Sequence, residues 1–351
     1  MARVVLSVVA HTLTYMDEMR TAGVILAALE LAPAAPSDVT AILLTATDRQ
    51  VLLGGDDGGP DADAFSDSKQ SSTREITPLA RYLAEHIDQG RVEHWTKVVD
   101  RGISEGRYRP VPVTDPGYPR NLRGVWDAPP LLFCSLRPDG SFVPGSPPPI
   151  DTPHGVVPQS LDSAIHAGPS VAIVGSRETS DEVLKATEQV STELAASGVT
   201  IVSGLAAGVD AAAHRGALAA CGYTVAVMGT GIDLVFPEVN RKLATELTRV
   251  GTLVSQYAPP APRTRTSFLL RNHVIAAVSD ASLIMDGDER SGSRYEVEQA
   301  VDYNRPIFAW APALGHRRWV QDLVQAGNAR FVESAAEVSE HLARSRREGR
   351  R

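Results

Sequence analysis

Residues 171–204, VAIVGSRETSDEVLKATEQVSTELAASGVTIVSG, have the pattern of two buried strands joined by a helix. The apolar runs VAIV and TIVS do not alternate with polar residues, which is typical of strands that are covered on both faces. Thr179 and Glu182 have the spacing of a capping box at a helix start, and Gly198 stands where a left-handed cap would end the helix. The stretch therefore predicts a strand–helix–strand unit with two parallel strands.

The same pattern is repeated further along the chain. Short runs rich in apolar residues alternate with helix-length amphipathic segments, and these runs are TVAVM (224–228), TLVS (252–255), SLIMD (282–286) and PIFAW (306–310). The alternation predicts an α/β fold, with a doubly wound, Rossmann-like, mostly parallel sheet and helices on both faces. We place this Rossmann-like core at residues 170–335.

The sequence outside the core is divided by changes in composition. Residues 1–106 are expected to form a smaller, mainly helical region, with a strand-like run AILLTAT (41–47) and a helix over 73–89. Residues 54–72 are rich in Gly, Asp and Ser and have almost no apolar content, so we expect a mobile loop there. The other predicted segments are a lead-in to the core at 107–136, a Pro/Gly-rich connector at 137–169 and a basic tail at 336–351.

Charge and cysteine content limit the classes of function. The 351 residues include 34 basic and 42 acidic side chains, a net charge of −8, so a site for a polyanion has to be a local patch. The two cysteines, Cys134 and Cys221, lie in apolar stretches and cannot build a disulfide scaffold, which favours a cytoplasmic protein. No apolar run approaches the roughly 20 residues that cross a bilayer, so neither an anchor nor a membrane partner is expected.

Small and polar residues follow nearly every predicted strand of the core. Ligands of open parallel sheets bind beyond the carboxyl ends of the strands, where helix N-termini favour phosphate. Arg177 and Arg271 would add charged donors there. A plainer alternative is that the glycines only permit tight turns, but four such turns at one edge favour a phosphate-bearing ligand. The turns are Gly175-Ser176-Arg177, Ser203-Gly204 with Gly208 to Asp210, Gly229-Thr230-Gly231, and Ser291-Gly292-Ser293.

Several other kinds of site are disfavoured by spacing. The first turn lacks the Gly-x-Gly-x-x-Gly pattern of dinucleotide binding, and no P-loop for nucleotide hydrolysis is present. Asp210 and His214 are four residues apart on one helix face and could provide a metal ligand or an acid–base pair, although a capping Asp and a packing His are the preferred interpretation. The histidines are scattered, so no metal is expected. Residues 261–275, APRTRTSFLLRNHVI, are basic and carry an aromatic residue, as in contacts with single-stranded nucleic acid.

Taken together in order, these residues resemble the DprA/Smf family of DNA-processing proteins. The matching stretches are TDPGYPRNLRGVWDAPPLLF (114–133), VAIVGSR (171–177), SGLAAGVDAAAH (203–214), GTGIDLVFPEVN (229–240), FLLRNHVIAAVSD (268–280) and SGS (291–293). The resemblance implies a recombination mediator that binds and protects single-stranded DNA and loads a RecA-type recombinase during natural transformation or a related process. It also implies a homodimer that needs no cofactor and catalyses no reaction.

The resemblance also implies which residues form the DNA-binding pocket. Asp210 and His214 would shape the loop after the second strand of the core. The implied pocket comprises Gly175, Ser176, Arg177, Ser203, Gly204, Gly208, Gly229, Gly231, Arg271, Asn272, Ser291, Gly292 and Ser293.

An enzymatic alternative stays open at the level of sequence. Gly292-Ser293-x-x-Glu296 is partly similar to the phosphate loop of nucleotide phosphoribohydrolases and the related SLOG proteins. In that alternative the protein is a nucleotide-binding enzyme or a nucleotide sensor, with phage defence as a role. In that alternative Arg271 and Glu296 are the catalytic candidates, acting at a glycosidic bond.

Overall fold

The computed structural model describes residues 2–31, 34–54, 75–136, 160–289 and 291–348. They divide into two compact units. The first unit comprises Met1–Tyr118 with Trp126–Leu132, and the second comprises Pro119–Val125 with Phe133–Arg351. Among the described residues, no helix is both long enough and apolar enough to cross a membrane.

The first unit is mainly helical, and the run AILLTAT is helical rather than the predicted strand. Val39, Ile42 and Leu43 are buried, and their spacing is that of one helix face. Pro36 occupies the first turn of that helix, a position that proline favours. The elements are α1 (Ala2–Leu29), α2 (Pro36–Leu44), α3 (Ala46–Leu53), α4 (Pro78–His86), α5 (Gln89–Ser104) and strand β1 (Tyr108–Pro112).

The prediction of one helix over 73–89 is also wrong in its bounds. Two helices cover this region because Thr77 and Asp88 each cap a new start: the Thr77 hydroxyl accepts from Ala80 N, and the Asp88 carboxylate accepts from Gly90 N. Of the predicted mobile loop at 54–72, only Gly54, which caps α3 with a φ of +66°, is among the described residues.

The second unit contains the predicted parallel sheet. Its strands are β2 (Leu131–Ser135, shared with the first unit), β3 (Ser170–Val174), β4 (Thr200–Ser203), β5 (Thr224–Met228), β6 (Thr252–Ser255), β7 (Ala281–Ile284), β8 (Ile307–Trp310) and β9 (Arg330–Val332). Their order is β2-β6-β5-β4-β3-β7-β8-β9, and all neighbours are parallel except β2 and β6, in which Phe133 faces Ser255. The predicted fold class is confirmed.

Helices cover both faces of this sheet. The helices of the unit are α6 (Arg120–Arg123), α7 (Leu161–Ile165), α8 (Asp181–Ala196), α9 (Val209–Ala219), α10 (Arg241–Leu247), α11 (Arg265–Val278), α12 (Gly292–Asp302), α13 (Ala311–Leu314), α14 (Arg318–Gln325) and α15 (Ala335–Glu348). Val171 and Ile173 of β3 pack in one apolar cluster with residues of α8, α9 and α15. Residues of α11 and α12 are absent from that cluster, and these helices pack against β4, β5, β7 and β8.

Local details of the first strand–helix–strand unit differ slightly from the prediction. Helix α8 is capped by Ser180, whose hydroxyl accepts from Val183 N, so the expected capping box at Thr179 is one residue early. Gly198 follows the helix with a φ of +84°, the left-handed conformation that the sequence predicts.

The two compact units do not test the predicted domain boundaries, which stay predictions. Residues 137–159 of the predicted connector lie outside the described residues, and its last part contains α7. Helix α15 begins next to the predicted start of the basic tail.

In this strand order β3 lies between β4 and β7, so the connections change direction beside β3. The turns after β3, β4 and β5 therefore meet at one edge.

Candidate nucleic-acid interface

The turns after β3 and β4 are packed directly against each other. Val209 N donates to Ser176 O over 3.2 Å, and Gly208 has a φ of +78°. A Cβ atom on Gly208 would lie 2.6 Å from Arg177 O, and one on Gly175 would lie 2.7 Å from Val209 Cγ2. These two glycines are needed because a larger residue would prevent the contact between the turns. Their role is therefore explained by tight packing alone.

The turn after β5 is fixed to the start of α11. Ser267 Oγ donates to Gly229 O over 2.6 Å, and a Cβ atom on Gly229 would lie 2.6 Å from Phe268 Cδ1. On the other side of the turn, Gly231 N donates to Ala261 O over 2.9 Å. Three turns of the sheet edge and the first turn of α11 thus form one connected surface.

Arg271 lies beneath this surface and is only 3% exposed. Its Nη1 atom donates to the carbonyl oxygens of Gly204, which follows β4, and of Val227, near the end of β5. Its Nε atom donates to Asn272 Oδ1 over 3.0 Å. Asn272 in turn donates from Nδ2 to Gly292 O over 3.0 Å. Arg271 and Asn272 therefore support the turns from inside, and their direct contact with a phosphate stays a prediction.

Two buried carboxyl groups, those of Asp210 and Glu296, interact electrostatically with Arg271. Burial raises the pKa of Asp210, while the positive charges of Arg271 and, more weakly, Arg177 lower it. Burial raises the pKa of Glu296 well above its usual value, and the charge of Asp210 adds to this effect. Ser282 Oγ donates to Glu296 Oε1 over 3.3 Å, whereas Oε2 has no partner. The net shift of the pKa is upward for both carboxyl groups, and burial is its main cause in each.

His214 is completely buried and neutral. Burial lowers its pKa to about 3, with a smaller effect from the charge of Arg271. Thr224 donates its hydroxyl proton to Ile201 O and must therefore accept from Nδ1 of His214 at 2.8 Å, which leaves Nε2 as an unpartnered acceptor. This environment favours the packing interpretation of His214 over an acid–base pair. Within the described residues, no group of three or more His, Cys, Asp or Glu side chains could hold a metal ion.

The accessible part of the site is formed by Arg177 and Phe268. Arg177 is exposed, and its guanidinium carbon lies 5.2 Å from the ring centroid of the partly exposed Phe268. Arg265 is also exposed and begins α11, whose first turn contains no acidic residue. A cation over an aromatic ring beside a helix N-terminus can bind a phosphate and stack a base.

The predicted serines and glycines of the last turn lie at the start of α12. Ser291 Oγ donates to Asp288 O over 2.8 Å and lies 2.6 Å from Ser293 Oγ. The nearest atom to a Cβ on Gly292 would be Asn272 Nδ2 at 3.9 Å, so this glycine is not required by packing. Ser203 is buried and donates to Ile173 O over 2.6 Å, which makes it a structural residue.

Two residues at this edge received no role from the sequence. Asn240 is buried and donates from Nδ2 to Leu205 O over 2.9 Å and to Ala206 O over 3.1 Å. Leu205 has a φ of +57°, so Asn240 holds a strained turn in place. Phe236 lies beside Phe268, with 5.6 Å between ring centroids. Both residues occur in the stretch GTGIDLVFPEVN, several residues after the end of β5. Their position in the sequence therefore does not indicate that they contact the turn after β4 or helix α11.

Comparison with known proteins identifies the group to which this architecture belongs. The family model of DNA recombination-mediator protein A matches residues 161–343, more than half of the chain. The chain belongs to the DNA recombination-mediator protein A family. This confirms the resemblance to DprA/Smf proteins.

Individual members of the DprA family show how far the similarity extends. The chain is 38% identical over 197 residues to protein Smf of Synechocystis, a match that spans 56% of this chain but only 44% of that protein. It is 30% identical over 251 residues to DprA of Streptococcus pneumoniae, with 70% of this chain and 79% of that protein covered.

Solved structures of two DprA proteins have the same fold. The X-ray structure of DprA from Streptococcus pneumoniae has a TM-score of 0.59 and 26% identity, and covers 88% of this chain and 98% of that one. A structure of DprA from Helicobacter pylori, described in terms of a single-stranded DNA binding mode, has a TM-score of 0.53 and 26% identity. That match covers 68% of this chain and 96% of the Helicobacter chain.

Proposed function

We propose that this protein binds single-stranded DNA as a DNA-processing recombination mediator. The observation that carries the proposal is the exposed pair of Arg177 and Phe268, set on a rigid edge of the sheet and followed by the acid-free start of α11. Membership of the recombination-mediator family supports it, as does the single-stranded DNA binding described for the Helicobacter DprA structure.

The chemistry of the pair fits a ligand with phosphates and unpaired bases. A guanidinium attracts phosphate without regard to sequence, and an aromatic ring stacks any base. Arg271 would contribute indirectly, because it joins the turn after β4 to β5 beneath Arg177 and Phe268. The pocket of glycines, serines and arginines predicted from the sequence remains part of this proposal.

Finer aspects of the role rest on the family resemblance alone. We include in the proposal that the protein acts in the cytoplasm as a homodimer, protects incoming single-stranded DNA and loads a RecA-type recombinase. A natural-transformation or related DNA-uptake role would follow from these activities.

We further propose that the protein acts by binding and not by catalysis. The enzymatic alternative needs Glu296 to reach a glycosidic bond, but Glu296 is 1% exposed and its burial raises its pKa. A buried carboxyl group that contacts Ser282 is a poor candidate for such a step.

Fluorescence anisotropy with labelled oligo-dT tests the binding proposal. Wild type should bind in a salt-dependent way, and Arg177→Ala and Phe268→Leu should each weaken binding about tenfold. Arg249→Ala is the matched control, since this exposed arginine precedes β6 at the opposite edge of the sheet.

Absence of oligo-dT binding by wild type, or equal loss in the control variant, would refute the proposal. Release of free base from nucleoside monophosphates that disappears in Glu296→Gln would instead support the enzyme.

A further inference from the structure

Phe236 and Arg263 repeat, on the neighbouring turn, the arrangement of Phe268 and Arg177. The guanidinium carbon of Arg263 lies 4.7 Å from the ring centroid of Phe236, and the corresponding distance for Arg177 and Phe268 is 5.2 Å. The two rings lie 5.6 Å apart with an interplanar angle of 57°. The four side chains therefore form a continuous row in the order Arg, Phe, Phe, Arg.

The backbone around this row is held in place by the protein itself. The turn after β5 is bonded to the segment before α11 through Gly231 N and Ala261 O, and Asp233 N donates to Pro259 O over 3.4 Å. Arg263 directly precedes Thr264, which caps α11 in a capping box with Ser267. Both partners of the second pair thus extend from backbone that is fixed at several points.

The charge around Arg263 favours an anionic ligand. Arg263 is exposed and forms no ion pair with any described residue. No acidic residue occurs in the sequence between Glu246 and Asp280. The turn of Phe236 carries two acidic residues, Asp233 and Glu238, and Glu238 is paired with Arg241 at 2.6 Å. The N-terminus of α11 adds a partial positive charge beside Arg263.

We propose that Phe236 and Arg263 form a second subsite for a nucleotide of the same single strand. The inference rests on the proposed function and extends it, since the strand would run along the row from Arg177 and Phe268 to Phe236 and Arg263. The planar guanidinium of Arg263, held over the ring, stacks a base on its free face or binds the adjacent phosphate.

Two lengths of ligand, a single thymidine nucleotide and an oligo-dT strand of about twelve nucleotides, separate this subsite from the first, because the two rings lie only 5.6 Å apart and a short strand would already reach both. For the oligo-dT strand, Arg263→Ala and Phe236→Leu should each weaken binding about tenfold. The slope of log K against log salt should also fall by roughly 0.7 in Arg263→Ala, because one phosphate contact is lost. The single nucleotide, which cannot occupy both subsites at once, should keep its binding at Arg177 and Phe268 in these variants.

The conservative variant Arg263→Lys should keep the salt slope of wild type and lose the stacking contribution, since lysine retains the charge without the planar group. Arg249→Ala again provides the control for a loss of surface charge.

The outcomes distinguish this inference from the proposed function. If wild type binds neither ligand, the proposed function fails and the subsite fails with it. If Arg177→Ala weakens binding while Arg263→Ala leaves the affinity for both ligands unchanged, the proposed function stands and the second subsite is refuted. Equal weakening of binding to both ligands with an unchanged salt slope would also refute it, because Arg263 would then act only by packing on Phe236.

Discussion

The guanidinium of Arg271 fills the space beside Gly204 that the Cβ atom of any other residue would need. The same guanidinium bonds the carbonyl oxygen of Gly204, so the glycine and the arginine are matched in shape and in hydrogen bonding. This pair joins the end of β4 to α11.

Gly204→Ala should therefore destabilise the protein. The added methyl group has to displace a buried, hydrogen-bonded cation, and we expect a loss of about 1–3 kcal/mol in the free energy of unfolding. Chemical denaturation measures this loss. Gly292→Ala is the matched control because the nearest atom to its Cβ would be Asn272 Nδ2, at an ordinary contact distance of 3.9 Å, and an equal loss of stability in the two variants would contradict the argument.

His214 should make the stability depend on acid pH. Its pKa is about 3 in the folded protein against an ordinary value of 6.5, so below pH 6.5 the unfolded chain binds a proton that the folded protein does not. The free energy of unfolding should then fall by up to about 1.4 kcal/mol for each pH unit between 6.5 and 3. In His214→Asn, which can still donate to Thr224, this part of the decline should vanish. If the free energy of unfolding falls equally with pH in wild type and in His214→Asn, His214 does not titrate in this range.

Glu296 should have the opposite effect on the pH dependence. Its folded-state pKa is raised above the ordinary value of 4.5, so the stability that its protonated form contributes is lost as the pH rises from 4.5 through the folded-state pKa. Glu296→Gln preserves the shape and cannot ionise. We expect this variant to be more stable than wild type at pH 8 and to differ little at pH 4, as measured by urea denaturation at both values. A variant that is less stable at pH 8 would indicate an ionised, paired Glu296.

Asn240→Ala should loosen the turn after β4. The substitution leaves the carbonyl oxygens of Leu205 and Ala206 without their donor, which should cost about 1–3 kcal/mol. Amide hydrogen exchange should accelerate at residues 205–208 more than in the sheet. Asn328→Ala, at an exposed position, provides the control, and unchanged exchange in the turn would refute the role of Asn240.

The parallel sheet could be predicted because its strands are unbroken apolar runs. TIVS, TVAVM and TLVS coincide with β4, β5 and β6 at both ends. The sequence predicts a strand where α2 lies because Ile42, Leu43 and Leu44 are adjacent apolar residues, and a short apolar run does not distinguish the period of a strand from that of a helix.

The candidate site was only partly predictable. Glycines and arginines after the strands marked the correct edge, but sequence does not distinguish an arginine that faces solvent from one that is buried. Arg177 is exposed and Arg271 is almost completely buried, although the same role was expected of both. The difference arises in α11, where the position of Arg271 faces the carbonyl oxygens of two strand ends.

Helix α11 carries the partly exposed Phe268 in its first turns and the buried Arg271 three residues later, so the two residues are neighbours on one helix face. Because the helix is a stiff rod, a strand that pulls on the ring also pulls on the cation beneath it. Asn272 extends this linkage to the first residue of α12 through Gly292. Load on bound DNA would thus be borne by the hydrogen-bonded interior and not by surface loops alone.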